Sequence, residues 1–369
     1  MKSLQEIWDK IGTLENQLTQ TQLQLGETRA ENRLLVGLMS TSTVDLAWQI
    51  TTVDAAGDVG FSSSLAFGPD GQPAISYHET FDYEDEDIHS LKFARFSGSA
   101  WAATTLHSDI GQWVGNTSLA FGPNGQPAIS YFFFFGNGIF LTGPSSGSEY
   151  GSKEYSSLAF GPGGQPAFSF LDSSRRLNLS RFDGNAWAST MVDTSATVDG
   201  EHALAFGPDG HPGIAYIGDG DLKFARFNGS NWTSSVVDSA GTAYSSLAFG
   251  PNGQPAISYY DGTNGDLKFA RFDGTMWIVS TVDSAGNVGS YSSLAFGPDG
   301  QPAIAYIGGG DLKFARFNGS NWTSSVVDPA GTADSSLAFG PDGQPAISYY
   351  DGTTGDLKFA RKGIFKAAP

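Results

Sequence analysis

The sequence predicts an all-β, seven-bladed β-propeller, and three observations carry that expectation. First, one phrase, Leu-Ala-Phe-Gly-Pro-Asp/Asn-Gly-Gln-Pro-Ala-Ile-Ser-Tyr, recurs seven times with small variations, beginning at Leu65, Leu119, Leu158, Leu204, Leu247, Leu294 and Leu337. A spacing on the order of 45 residues is the period of a propeller blade. Second, each period divides into strand-length segments separated by Gly-containing turns, with no helical pattern between them. Third, the last period lacks a fourth segment, and a matching segment stands at the front of the array.

The elements follow in chain order. Within residues 1–40, Leu4, Ile7, Ile11, Leu14, Leu18, Thr21, Leu25, Thr28, Asn32, Leu35 and Met39 fall at alternating steps of three and four. This spacing predicts an α-helical coiled coil, with Leu4 at an a position and polar Thr21, Thr28 and Asn32 setting register. Self-association is the consequence, as a homotrimer first and a dimer second. Residues 41–47 read as a linker, 48–361 as the propeller and 362–369 as a C-terminal tail. The segment 48–53, from Trp48 to Val53, supplies the missing strand of the last blade and closes the ring, which removes two open sheet edges.

Residues 245–283 show one blade. Ser246–Phe249 is a first strand, and Gly250-Pro251-Asn252-Gly253 is a tight turn whose glycine can take a positive φ. Pro255–Tyr259 follows as a second strand, with proline tolerated at its first residue. Leu267–Phe272 is the third strand and Trp277–Val282 the fourth. Trp277 and Val282 point to opposite faces of that strand, so both are covered only if a blade has a neighbour on each side. If the Leu-Ala-Phe strand is innermost, the tight turns share one face of the ring and the long loops share the other.

The repeats resemble those of seven-bladed bacterial propellers with Asp-Gly/Trp repeats, and the Gly-Pro-Asp-Gly-Gln turn is similar to that of NHL repeats. The resemblance covers residues 44–361 and implies a binding protein without fixing one activity. The chain lacks the Gly-His…Trp-Asp phrase of Trp-Asp repeat proteins and the Ser-x-Asp-x-Gly-x-Thr-Trp boxes of sialidases. A coiled-coil stalk bearing such a head also resembles a fibre or adhesin of a phage or injection particle.

Composition narrows the function classes. The formal net charge is −18, which disfavours phosphate backbones, so nucleic acid is not expected as a partner. The chain contains no cysteine, so disulfides play no part. The N-terminal residues lack the pattern of a secretory signal, and the run Leu34–Met39 is too short to cross a bilayer. A cytoplasmic location, or export with a particle by another route, is the expectation.

Candidate binding residues lie where the copies differ. Three adjacent periods carry unusual stretches between their second and third strands. The first is acidic, with Asp82, Glu84, Asp85, Glu86 and Asp87. The second is aromatic, Phe132-Phe133-Phe134-Phe135, and the third is basic, with Arg175 and Arg176. Side by side they form a candidate recognition surface, although the phenylalanines can also extend the second strand and pack inward. Between Leu119 and Leu158 no Trp-containing fourth strand is recognisable, and 144–151 reads as loop. Tyr260, Asp261, Tyr350 and Asp351 are candidates for repeated sugar pockets, where rings stack and carboxylates accept hydrogen bonds. The recurring Asp54, Asp193, Asp238, Asp283 and Asp328 read as strand-end caps.

No catalytic or cofactor motif is present. The five histidines have no metal-ligand spacing, and no phosphate-cradling or nucleophile-elbow glycine motif occurs. Arg95, Arg181, Arg226, Arg271, Arg316 and Arg361 share one repeat phase and read as structural rather than as a sialidase-like cluster. The expected function is therefore non-enzymatic, multivalent recognition of glycans or surface proteins. The alternatives are a structural subunit of a particle and a glycan-processing propeller enzyme.

Overall fold

A computed structural model describes residues 47–83, 86–110, 114–133, 138–142, 147–149, 155–239 and 242–363. Every element in these residues is a strand. Seven four-stranded antiparallel sheets stand in a ring. Sheet I contains β2 (Asp58–Phe67), β3 (Pro73–Tyr83), β4 (Glu86–Phe96) and β5 (Trp101–Ile110). Sheet II contains β6 (Val114–Phe121), β7 (Pro127–Phe133), β8 (Gly138–Thr142) and β9 (Gly147–Glu149). Sheet III contains β10 (Ser156–Phe160), β11 (Pro166–Leu171), β12 (Leu177–Phe182) and β13 (Trp187–Met191). Sheet IV contains β14 (Val198–Phe206), β15 (Pro212–Gly218), β16 (Asp221–Phe227) and β17 (Trp232–Asp238).

Sheet V contains β18 (Thr242–Phe249), β19 (Pro255–Asp261), β20 (Asp266–Phe272) and β21 (Trp277–Asp283). Sheet VI contains β22 (Val288–Phe296), β23 (Pro302–Gly308), β24 (Asp311–Phe317) and β25 (Trp322–Asp328). Sheet VII joins β26 (Gly331–Phe339), β27 (Pro345–Asp351) and β28 (Asp356–Lys362) to β1 (Trp48–Asp54). There β1 runs antiparallel to β28, with Trp48 opposite Lys362.

The expected seven full blades are corrected to six. Sheets I and III–VII each have an outer strand of at least five residues headed by a tryptophan. Sheet II departs from the repeat: its outer strand β9 has three residues and no tryptophan. A short strand does occupy 147–149, inside the stretch expected to be loop.

The expected N-terminal coiled coil is also corrected. The described residues contain no helix, and the fold is all-β. The predicted seam residues Leu4, Ile7, Ile11, Leu14, Leu18, Leu25, Asn32 and Leu35 lie outside the described residues, and residues 1–47 and 48–369 separate into two units. No helix among the described residues is long and apolar enough to cross a membrane.

The Leu-Ala-Phe strand is innermost in each sheet. β2 touches β26 and β6, and β14 touches β18, so these strands meet around a central channel. The core lies between sheets rather than within one. Leu204, Ile214 and Tyr216 of sheet IV pack with Leu177 and Leu179 of sheet III, for example. Each second strand is covered on both faces, which is why Pro-Ala-Ile-Ser-Tyr is buried along nearly its whole length.

Polar pins cross the same seams. The Tyr77 hydroxyl donates to Asp54 (2.6 Å), Tyr216 to Asp193 (2.5 Å), Tyr259 to Asp238 (2.6 Å), Tyr306 to Asp283 (2.7 Å), and Tyr349 to Asp328. In each pair the acid ends the outer strand of one sheet, or for Asp193 lies two residues beyond it, and the tyrosine sits on the second strand of the next. Some of these acids also cap turns, as Asp193 does for Ser195 (2.8 Å). The pins lapse on both sides of sheet II: His107 replaces the acid before it, and Phe170 replaces the tyrosine after it.

A second set lines the channel wall, where the N–H of six of the seven phrase leucines reaches a serine of the preceding sheet. Leu65 donates to Ser336, Leu119 to Ser64, Leu158 to Ser118, Leu204 to Ser157 and Leu294 to Ser246, each at 3.0 Å, and Leu337 to Ser293 at 2.9 Å. The seventh position is Ala203, which has no hydroxyl to offer Leu247.

Candidate functional site in the central channel

Just before the phrase the innermost strand bulges in the same way in five of the seven sheets. Pairing skips two residues between Phe61 and Ser64, Gly115 and Ser118, Ala243 and Ser246, Ser290 and Ser293, and Ala333 and Ser336. Within these bulges Ser62, Asn116, Tyr244, Tyr291 and Asp334 all take φ between 50° and 53°. A non-glycine residue there costs on the order of 1–2 kcal/mol, and two of the five are tyrosines. Bulges of this kind redirect a side chain. The repeat position three residues before the phrase leucine is occupied by Ser62, Asn116, Tyr155, Glu201, Tyr244, Tyr291 and Asp334 around the ring.

Six of these seven line one polar cavity of about 180 Å³ in the channel, together with the hydroxyl row behind them and His202. Tyr244 lies against Tyr291, with ring centroids 4.6 Å apart, and 6.5 Å from Tyr260. The volume suits one residue-sized polar group and is smaller than a drug-sized pocket.

Glu201 and Asp334 dominate the electrostatics. Burial between the channel walls, then the charge of Asp334, pushes the Glu201 carboxyl up to about 7. Burial pushes Asp334 up to about 6, offset in part by the backbone N–H of Ser62. Desolvation and the neighbouring acids also raise the Tyr291 phenol. His202 is lowered by burial, so its ring stays neutral. Several buried or half-buried acids have lysine partners: Asp54 with Lys92 (2.7 Å), Asp261 with Lys268 (2.6 Å) and Asp351 with Lys358 (2.8 Å). Among the described residues neither Glu201 nor Asp334 forms an ion pair.

The residues expected to bind are distributed differently. Phe132 is 1% exposed and belongs to the core. Phe133 ends β7, while Phe134, Phe135 and Asp85 lie outside the described residues. The acidic stretch is a hairpin extension in which Asp82 faces Asp87 and Tyr83 faces Glu86. Arg175 and Arg176 are exposed on the β11–β12 turn, and the Arg175 Nε donates to the Val198 carbonyl (3.1 Å).

Asp261 and Asp351 are buried turn caps. Asp261 accepts from the backbone N–H of Thr263 and from the Asn264 side chain, and pairs with Lys268. Against the opposing effect of burial, these contacts lower its carboxyl to about 2. Tyr260 and Tyr350 are partly buried on the long-loop side. Tyr260 donates to Asn287 (2.6 Å), and Tyr350 donates to Asp58 (2.7 Å) and stacks on Phe61 at 4.2 Å. Hollows of about 890 and 570 Å³ open at the V/VI and III/IV seams. Tyr260, Asp261, Tyr350 and Asp351 line neither of them.

Sequence reasoning missed the channel acids. Sheets V and VII are near-duplicates, yet Tyr244 in one is Asp334 in the other. Sheets IV and VI are near-duplicates, yet Glu201 stands where Tyr291 does. That contrast within copied units was the available signal.

No protein-family model matches the chain, and no curated protein matches it. Solved structures do. The β-propeller domain of Cps50 (Swd1) from Myceliophteria thermophila has a TM-score of 0.58 at 10% identity, covering 84% of this chain and 99% of that one. A protein of unknown function from Dyadobacter fermentans gives 0.56 at 11% identity, covering 86% and 99%. The NanB sialidase of Streptococcus pneumoniae gives 0.50 at 10% identity, covering 89% and 72%. At such identities the likeness is one of fold alone, and the fold is a β-propeller.

Proposed function

We propose that this protein is a non-enzymatic recognition propeller that takes a residue-sized polar group of a glycan or surface protein into its central channel. The observation that carries this reading is the bulge position. Near-duplicate sheets differ there, and of the differing side chains Glu201, Tyr291 and Asp334 line one polar cavity, with Tyr244 against Tyr291. A scaffold position has no reason to hold a tyrosine or a carboxylate at positive φ. Tyr260, Tyr350 and Phe61 add ring faces on the long-loop side, of the kind on which sugars stack.

The arginines support a binding role over sialidase-like chemistry, because most are engaged in the scaffold. Arg95, Arg226 and Arg361 pair with Asp70 (2.6 Å), Asp209 (2.6 Å) and Asp342 (2.7 Å), and Arg316 pairs with Asp299. Arg95, Arg226, Arg316 and Arg361 also lie over Phe121, Phe249, Phe339 and Phe67 of the following sheets.

A glycan array probed with the wild type and a Tyr291→Ala, Tyr244→Ala double variant tests the reading. Binding to a defined sugar class that is lost in the variant is the expected result. Binding unchanged in the variant would remove the channel from the account.

A structural role is the second reading. It draws on the exposed Val236, Ile278, Val279 and Val326 of the outer strands, an apolar face that copies of the chain could share. Light scattering across a concentration series tests it, and a monomer at all concentrations would count against it.

A further inference from the structure

We infer that the group received by the channel is a protonated primary amine, of an amino sugar in the first instance, held by Glu201 and Asp334. This rests on the channel reading above and names the ligand class. The chain carries a formal charge of −18; lysines pair with Asp54, Asp261 and Asp351, and none pairs with these two. Two carboxylates facing one cavity without a cation repel each other, and a bound ammonium ion relieves that repulsion.

Two further polar atoms are available in the same walls. The Nε2 of His202 and the Oγ of Ser245 have no hydrogen-bond partner, and their residues are only 6% and 8% exposed. Both residues line the cavity. The serine counterparts of Ser245 are all engaged, Ser335 through the Tyr291 carbonyl (2.6 Å). Ser292 and Ser63 meet the serines Ser258 (3.0 Å) and Ser348 (2.9 Å) of the preceding sheets. Ser245 faces Ala215 at that position. A buried polar atom without a partner costs stability, and a ligand donor or acceptor removes that cost.

The remaining wall favours an organic cation over a metal ion. Among the described residues no three acidic or histidine side chains cluster as a metal site requires. Tyr155 and Tyr291 line the cavity, and aromatic rings are suited to an alkylammonium group. The raised carboxyls of Glu201 and Asp334 fit the same picture, since a cation beside them favours their ionised forms.

Isothermal titration at pH 7, where the amino group of glucosamine is largely protonated, tests the inference with three probes: glucosamine, N-acetylglucosamine and Nα-acetyl-lysine amide. Glucosamine is expected to bind at least tenfold more tightly than its neutral N-acetyl counterpart. The Glu201→Gln, Asp334→Asn variant is expected to lose that preference. Both substitutions are isosteric and remove a desolvated charge, so the fold is expected to hold, and the thermal midpoint checks that it does. The single Ser245→Ala variant, which leaves both acids in place, is expected to weaken glucosamine several-fold.

Lysine amide binding as tightly as glucosamine would keep the amine and move its source to a protein. Equal binding of glucosamine and N-acetylglucosamine would overturn the amine and leave channel recognition standing. No binding by any probe, alongside a positive glycan array, would also overturn the amine alone. Silence in both would take the channel reading down with it.

Discussion

The hydroxyl of Tyr216 donates to the carboxylate of Asp193 at 2.5 Å, across the seam between two sheets. Tyr216 is fully buried and Asp193 is 7% exposed. The same pair recurs at four other seams, so the recurring aspartates that read as strand caps also join neighbouring sheets. A hydrogen bond to a buried charge is worth more than an ordinary one, and losing its donor leaves the charge short of a partner.

Tyr216→Phe is therefore expected to destabilise the protein by about 1.5–3 kcal/mol, read as a lower midpoint in urea unfolding. The reverse change, Phe170→Tyr, places a hydroxyl beside sheet II, whose outer strand has no matching aspartate. It is expected to destabilise as well, although it restores the consensus residue.

Phe132→Ala is expected to cost about 3–5 kcal/mol, as for other fully buried phenylalanines, and thermal denaturation would register it. A surface role for this ring predicts a near-silent substitution, which separates the two positions cleanly.

Ala203→Ser supplies the hydroxyl missing from the channel-wall series and offers the Leu247 N–H a partner. A gain of about 0.5–1.5 kcal/mol is expected, visible as a raised unfolding midpoint. Ser157→Ala, which removes an existing contact to Leu204, is the matched loss.

Stability is expected to depend on pH in two opposite ways. Asp261, held down to about 2, contributes stability that is present above the ordinary aspartate range and lost as pH falls toward 2. Glu201 and Asp334, pushed up to about 7 and about 6, act in the other sense. Their neutral forms suit the fold, so the contribution is full below pH 4 and is lost as pH rises through 6 and 7. Thermal midpoints measured from pH 4 to 8 are expected to fall less in Glu201→Gln, Asp334→Asn than in the wild type.

Much of the scaffold was legible because it is written in repetition. The strands of sheet V were readable from Leu247 to Val282 through turn glycines, the strand-opening Pro255 and alternating faces. The pairing of Trp48–Asp54 with the last sheet was readable because a missing piece and a spare piece matched. Sheet II was harder: without a tryptophan, its outer strand has no marker, and Gly147-Ser148-Glu149 resembles loop.

The candidate channel position was hard to read for a different reason. Long or unusual loops draw attention, so Phe132, Asp261 and Asp351 were singled out although they serve the core and the turns. Glu201 and Asp334 are single letters inside a strand, and each stands where the pairing register shifts, Asp334 with a positive φ and Glu201 after Gly200. Asp261 also shows that a Tyr-Asp pair in a loop says little until its lysine partner is located.

The pairing of β1 with β28 sets a timetable for the nascent chain. Thr51 and the Phe359 carbonyl it contacts are 308 residues apart. At roughly 5–20 residues per second, β1 waits on the order of fifteen to sixty seconds for its partner to be synthesised. Every other described strand finds its sheet neighbours within its own repeat. The strand that must wait, Trp-Gln-Ile-Thr-Thr-Val-Asp, is rich in threonine and mostly exposed even when paired, a composition that limits premature association with other chains during the delay.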